Sequence, residues 1–189
     1  MSNTTKASSL PIFRPFTAVD LVTLAALAAL FRAMDYVTGI FTFVFPFNTL
    51  FMAFSFGVTA LVAAVIVRKT GVFTMFTIAA QLINFFLQGE NLVAVLVMSS
   101  WGLLADIFVY VKLKNGVDPF VNAKDLVIAN LLMGIVWVLT TYGIAFPIIF
   151  LVELSAGVYA ALMVFGIIAE LLGGLVGVSL GNKIKGLLG

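Results

Sequence analysis

The chain of 189 residues holds eight acidic and ten basic side chains, and neither cysteine nor histidine. Any charged or amide group inside an apolar run is therefore a candidate for chemistry. Arg32, Asp35, Asp106 and Glu170 stand in such runs. A charge at the centre of a lipid-embedded helix costs about 2.5–3.5 kcal/mol on insertion scales and is a functional suspect on that ground. Arg32 and Asp35 are three residues apart, nearly on one helix face. They form either a self-neutralising pair or a contact for a polar ligand. Gln81, Asn84 and Gln88 recur at i, i+3 and i+7, a single polar stripe on an apolar helix. Such a stripe faces protein or water rather than lipid. It serves interhelix hydrogen bonding or lines a solute pocket, and the pocket is the preferred reading. Glu90 and Glu153 fall near the same helix ends as Arg32 and Asp35. These four charges sum to minus two, which suits a cationic or hydrogen-bonding solute better than an anion. Trp101, Trp137, Tyr142 and Tyr159 are available as stacking walls, although packing or interface anchoring accounts for each taken singly. Asp106 and Glu170 fall nearer the opposite side and have no assigned role.

Much chemistry is excluded by what is missing. Without histidine the commonest general base and the commonest metal ligand are absent, and no histidine-based zinc motif can form. There is no G-x-x-x-x-G-K-[ST] loop, so the chain does not hydrolyse ATP by itself. A G-x-S-x-G match at Gly177-Val178-Ser179-Leu180-Gly181 lies in a helical stretch and is read as chance, because a nucleophile elbow needs a strand-to-helix turn and a histidine base. Asp35 and Asp106 fall in opposite halves, which argues against an aspartate dyad. The expectation is a protein that is not an enzyme, with no catalytic residue, metal or cofactor. A net charge of +2 leaves no basic surface for nucleic acid.

The elements that position these residues follow from composition. Apolar residues make up 63%, charged residues 10%, and mean hydropathy is +1.23. A soluble domain has about 45–50% and about 25%. The chain reads as all-α, a polytopic membrane protein, with no period-two alternation of the barrel kind. Six transmembrane helices are expected, over residues 17–37, 48–67, 72–88, 92–111, 125–143 and 155–180. Residues 1–15 form a polar N-terminal tail and residues 16–189 one six-helix domain. The tail is not read as a cleaved signal. Lys6, Arg14, Arg68, Lys69, Lys112, Lys114, Lys124, Lys183 and Lys185 all fall on one side if both termini share it, and the positive-inside rule makes that side cytoplasmic. The location expected is the cell membrane, multi-pass. Two outer connections, residues 39–47 and 145–154, are apolar and too short to span. They either dip into the headgroups or form a lid over an outward-facing pocket.

Small residues form two ladders: Ala25, Ala29 and Ala33 on the first span, and Gly173, Gly177 and Gly181 on the sixth. Such faces let helices approach closely. Packing of the first span against the sixth is the simpler expectation; docking onto another membrane subunit is the sharper one.

Six spans, both ends inside and the alanine ladder resemble the substrate-binding S-component of an energy-coupling factor (ECF) vitamin transporter. The resemblance runs from about Phe16 onward. Its local points are Ala25-x3-Ala29-x3-Ala33, Arg68-Lys69-Thr70-Gly71, Gly102-Leu-Leu-Ala105-Asp106 and the glycine-rich sixth span. Within the group the chain is most similar to the thiamin or hydroxymethylpyrimidine type. The resemblance implies capture of a vitamin from outside beneath the outer loops, docking on a transmembrane coupling subunit, and release inside as the S-component topples, driven by two partner ATPases. Carried onto this sequence, docking falls to Ala25, Ala29 and Ala33. The pocket is drawn from Gln81, Asn84, Gln88, Glu90, Trp137, Tyr142, Glu153 and Tyr159, with Arg32 and Asp35 beside them. A thiamin pattern with a histidine contact cannot be inherited by this chain. The rival readings are a self-sufficient carrier or channel acting as a homo-oligomer, with Arg32, Asp35, Asp106 and Glu170 as a polar path, and a structural subunit that binds no solute.

Overall fold

The structure, a computed structural model, describes residues 13–41, 47–149, 151 and 154–188. The tail 1–12, the segment 42–46 with Phe45-Pro46, and the candidate Glu153 lie outside the described residues. All elements among those described are helical. Four stretches are long and apolar enough to cross a membrane: Thr49–Val67, Leu92–Lys114, Ala123–Ile149 and Ala156–Leu187; Val72–Gln88 is apolar but shorter.

Helix α1 (Ala18–Phe41) opens on a reciprocal cap. Asp20 accepts from the Thr17 backbone N–H at 2.6 Å and from its hydroxyl at 2.7 Å, while the Asp20 N–H donates to Thr17 Oγ1 at 3.3 Å. A first helical turn has free N–H groups, and this exchange satisfies two local donors. The helix turns Leu24, Ala28 and Phe31 inward, at i, i+4 and i+7. Ala25, Ala29 and Ala33 lie on the neighbouring face and are exposed.

Helices α2 (Phe47–Val67) and α3 (Val72–Gln88) meet in a turn held by two left-handed residues, Arg68 at φ 52° and Gly71 at φ 91°. The free N–H groups of α3 are taken by Asp106, which belongs to a different helix. Its Oδ1 accepts from Gly71 at 3.0 Å and Phe73 at 3.3 Å, and its Oδ2 from Thr74 at 2.7 Å. A carboxylate is favoured there by the helix dipole as well as by the hydrogen bonds. Asp106 reaches this place because α4 (Leu92–Met98) and α5 (Leu103–Lys114) are joined by a 3-10 turn, Ser99–Gly102, that lies on the α3 backbone. A Cβ at Gly102 would come within 2.3 Å of the Phe73 carbonyl carbon. Arg68-Lys69-Thr70-Gly71 and Gly102-x3-Asp106 are thus two halves of one joint.

The loop after α5 leads to α6 (Ala123–Thr140), capped by Asn122 through Lys124 N at 3.1 Å. This helix does not stop near Gly143. It continues as a wider π-helix, Thr141–Ile149, through Pro147. Residues 145–149 are therefore helical rather than loop, as are residues 39–41 of α1; both corrections shorten the expected apolar connections. Proline supplies no N–H to an α-helical ladder, and π-turns accommodate such interruptions. Helix α7 (Ala156–Leu188) closes the bundle.

Charged pairs mark one end of the molecule. Lys69 pairs with Asp20, Arg68 with Asp118 at 2.8 Å, and Lys112 with Asp125 at 2.8 Å. They bring together the start of α1, the α2–α3 turn and the α5–α6 loop. Gly181 near the end of α7 lies against Val65 near the end of α2, so α7 finishes at this basic end too. Partly exposed pairs of this kind contribute about 0–1 kcal/mol each.

Packing departs from one expectation. Helix α7 runs along α2 and touches α6, whereas α1 packs on α2 and α3 rather than on α7. The α7 glycines spend their close approach on the α2 backbone: a Cβ at Gly173 would lie 2.1 Å from the Phe54 carbonyl oxygen, and one at Gly177 2.6 Å from that of Val58. The centre of the bundle is aromatic. Phe31, Phe56 and Phe76 have ring centroids 5.2–6.3 Å apart, and Phe56 meets Trp101 edge-on at 5.3 Å.

Candidate functional site

The end of the bundle opposite the charged pairs is built by the termination of α3. Gly89, at φ 67°, ends the helix with its N–H on the Phe85 carbonyl at 3.1 Å. Asn91 then caps α4 by accepting from Val93 N at 2.8 Å. The tight reversal leaves Glu90 beside its own helix, where its carboxylate accepts a hydrogen bond from Asn84 Nδ2.

Arg32 reaches the same place from α1. It is 5% exposed, and burying a guanidinium is costly unless its donors are met. Here Nε donates to the Ala80 carbonyl at 3.0 Å, Nη2 to Gln81 Oε1 at 2.9 Å and Nη1 to Asp35 Oδ2 at 3.2 Å. The guanidinium carbon also lies 4.9 Å from the centre of the Phe31 ring. Arg32 and Asp35 are therefore an ion pair, and that pair is tied to α3.

The polar stripe turns inward as its spacing predicts. Gln81 is fully buried and Asn84 nearly so, while Gln88 lies at the surface. A cleft of about 360 Å³ opens between α1 and α3. Ala29, Arg32, Ala33 and Tyr36 line one wall, and Ile83, Asn84, Leu87 and Gln88 the other. Small-molecule sites usually occupy about 300–1,000 Å³ with mostly apolar walls and a few placed polar groups. A second groove, between α2 and α7, is lined by Leu50, Phe51, Phe54, Ala169 and Leu172. It has no polar side chain with which to recognise a solute.

Several buried polar atoms near the cleft and in the aromatic core have no hydrogen-bond partner among the described residues. They include Gln81 Nε2, Asn84 Oδ1, Trp101 Nε1, Trp137 Nε1 and Thr141 Oγ1. Each such atom costs about 1–3 kcal/mol if left unmet. They comprise three N–H donors and two oxygens, and of these residues Asn84 lines the cleft.

The candidate residues fall into two groups. Arg32, Asp35 and Gln81 are bonded to one another through Arg32, Asn84 is bonded to Glu90, and Arg32, Asn84 and Gln88 share the cleft lining, all on α1, α3 and the turn that follows. Trp137, Tyr142 and Tyr159 form an aromatic cluster on α6, its π-helical extension and α7. Trp137 and Tyr142 have centroids 5.8 Å apart, Tyr142 and Tyr159 6.5 Å, and Tyr142 and Phe146 5.1 Å, all edge-to-face. The aromatic cluster does not line the cleft. It connects to the region of Arg32 through Trp101, 6.3 Å from Trp137, and then Phe56 and Phe31. The walls at Tyr36, Ile83 and Leu87 were not anticipated, although Tyr36 is one turn from Arg32 and Ile83 and Leu87 flank the stripe. Ala29 and Ala33 serve the cleft as well as the ladder.

A continuous polar path through the four interior charges does not form. Arg32 and Asp35 pair with each other, Asp106 caps α3 from the basic end, and Glu170 is buried at the junction of α7, α6 and α2. The chain matches no family model, no curated protein and no solved structure.

Proposed function

We propose that the chain spans the cell membrane six times with both termini in the cytoplasm, and serves as the substrate-binding subunit of an ECF-type ABC importer. It captures a vitamin or vitamin precursor, best matched by thiamin or its pyrimidine moiety, from outside. It then docks on a transmembrane coupling subunit driven by two ATPase subunits. The observation that carries this reading is the cleft at the Glu90 end, with the buried Arg32 and Asn84 in its lining and unmet hydrogen-bonding atoms on Gln81 and Asn84. Two features support it further. The Ala25, Ala29 and Ala33 face beside the cleft is exposed, and the sequence holds no nucleotide-binding loop with which to power transport alone. Asp35 and Glu90 give the cluster a negative balance against the one guanidinium, which favours a cation. Tyr36, the aromatic residue in the cleft lining, adds cation–π attraction of roughly 0.5–2 kcal/mol where its ring faces the ligand.

The test is ligand titration of the purified full chain in detergent, followed by the fluorescence of Trp101 and Trp137. Thiamin or hydroxymethylpyrimidine is expected to change the emission and saturate. Glu90→Gln is expected to weaken thiamin binding about tenfold, the loss of one charge-assisted contact. A flat response to both compounds, and to other vitamins, sinks the proposal. Solute uptake by the chain alone in liposomes, without ATPases, replaces it with the carrier.

A further inference from the structure

The cleft between α1 and α3 has a mouth as well as a floor. Tyr36 on α1 and Leu87 on α3 line it and are both exposed. Next to the lining residues on each helix, Leu30 and Val37 of α1 and Leu82 and Phe86 of α3 are exposed too. An opening flanked on both helices by large apolar side chains suits lipid better than water. In the bilayer proposed above, the cleft therefore opens sideways between two helices. Along α3 it runs from Ile83 to Gln88, the last residue of that helix, a rise of about 8 Å. That is the depth at which headgroups give way to acyl chains.

The floor is polar and incompletely satisfied. Arginine carries five N–H donors. Arg32 gives one each to Ala80, Gln81 and Asp35, and the remaining two have no hydrogen bond among the described residues. Asn84 lines the same cleft with Oδ1 buried and unpartnered. Its Nδ2 donates to Glu90, so a carboxylate stands just behind the lining. Spare N–H groups on a guanidinium favour a phosphate or carboxylate oxygen. A simple anion would meet Asp35 and Glu90 as well as Arg32. A phosphate joined to an ammonium answers charges of both signs.

We propose that the cleft is a binding site for a zwitterionic phospholipid of the surrounding leaflet. The phosphate accepts from the free N–H groups of Arg32. The ammonium lies toward Glu90, and an acyl chain runs past Ala33 and Ala29 toward the middle of the bilayer. The occupant is a lipid rather than a free phosphate compound because Ala29, Ala33, Tyr36, Ile83 and Leu87 make most of the wall apolar. The inference rests on the membrane placement proposed above and not on which solute the cleft takes.

Native mass spectrometry tests it, with the full chain in detergent micelles holding equal amounts of phosphatidylethanolamine and phosphatidylglycerol. Wild type is expected to retain one phosphatidylethanolamine, about tenfold over phosphatidylglycerol, the margin of one charge-assisted contact. Glu90→Gln is expected to erase that preference. Ala33→Phe fills the cleft from an exposed position and is expected to lower retention about tenfold or more. Ala29→Phe takes its place if Ala33→Phe does not fold. Ala25→Phe, outside the lining, is expected to retain lipid as wild type does. Water-soluble glycerophosphoethanolamine at the lipid's concentration is expected to displace none of it. No adduct, undiminished retention in Ala33→Phe, a preference for phosphatidylglycerol, or displacement by the soluble headgroup overturns the proposal. Two separate measurements keep its failure apart from others. Flotation of the chain with liposomes reports membrane placement, and thiamin titration reports the solute. A chain that floats and binds thiamin but holds no lipid keeps the proposed function and loses this site.

Discussion

The two small-residue ladders are alike in sequence and opposite in structure. Gly173, Gly177 and Gly181 are all buried, and Ala25, Ala29 and Ala33 are all exposed. On α7 the missing Cβ atoms are what allow α2 to come so near, its backbone to within 2.1 and 2.6 Å at Gly173 and Gly177 and the Val65 side chain to within 2.9 Å at Gly181. On α1 the ladder is exposed among the described residues, with Ala29 and Ala33 in the cleft wall that faces α3, and the inward face is supplied instead by Leu24, Ala28 and Phe31. Within a bilayer, burying apolar surface against protein rather than lipid brings little hydrophobic gain, so association depends on close van der Waals fit and interhelix hydrogen bonds. A four-residue repeat of small side chains therefore specifies a surface that admits close approach. Whether that approach is internal or reserved for another chain depends on what the rest of the helix offers.

The largest effect should come from filling the α7 ladder where it meets backbone. Gly173→Ala places a methyl 2.1 Å from the Phe54 carbonyl oxygen, and neither helix can yield without shifting as a body. Overpacking of this kind costs about 1–3 kcal/mol and occasionally more; Gly173→Ala belongs at or above the top of that range. Gly181→Ala meets the Val65 side chain, with Cβ at 2.9 Å and Cγ1 at 3.1 Å, near the end of α7. Its cost should be nearer 1 kcal/mol. Thermal unfolding in detergent ranks the two. Equal stabilities for wild type and Gly173→Ala would mean that the α2–α7 contact is not tight, and the contrast between the ladders would disappear.

The ladders also show how far the residues alone could be read. The bounds of α3 agree with its apolar run at both ends, because Gly71 and Gly89 punctuate it and its stripe holds one face inward. The Arg32–Asp35 pair is one of the two readings that its spacing allowed, and topology placed Glu90 near the same end as the stripe without its bond to Asn84. Asp106 had no role until the fold was seen, since the N–H groups it caps are more than thirty residues away and a cap from another helix carries no local signature. The break at Ser99–Gly102 was hidden for the same reason: Gly102 is required by the Phe73 and Thr74 backbone, not by its neighbours in sequence. The π-helical run past Gly143 sits where Pro147 suggested a stop. Trp137, Tyr142 and Tyr159 join the amide stripe as stacking walls and through the family resemblance; neither residue type nor resemblance reports that α6 and α3 contribute to different parts of the interior.

The α1 ladder gives the smallest effect on stability and the most informative one on assembly. Ala29 and Ala33 line the cleft, so enlarging either would confound docking with solute binding. Ala25 is exposed and clear of the cleft lining, which makes Ala25→Leu the cleaner variant. With no neighbouring helix to clash with, its stability should change by no more than about 0.5 kcal/mol, and its affinity for a solute should equal that of wild type. Under the proposed function, co-purification with a coupling subunit and its ATPases should nevertheless fall, because an isobutyl group holds an approaching helix off the α1 backbone. Assembly at wild-type yield would show that the exposed alanines face only lipid. A variant that unfolds would show that α1 has an internal partner on that face, and the two ladders would then be doing the same job.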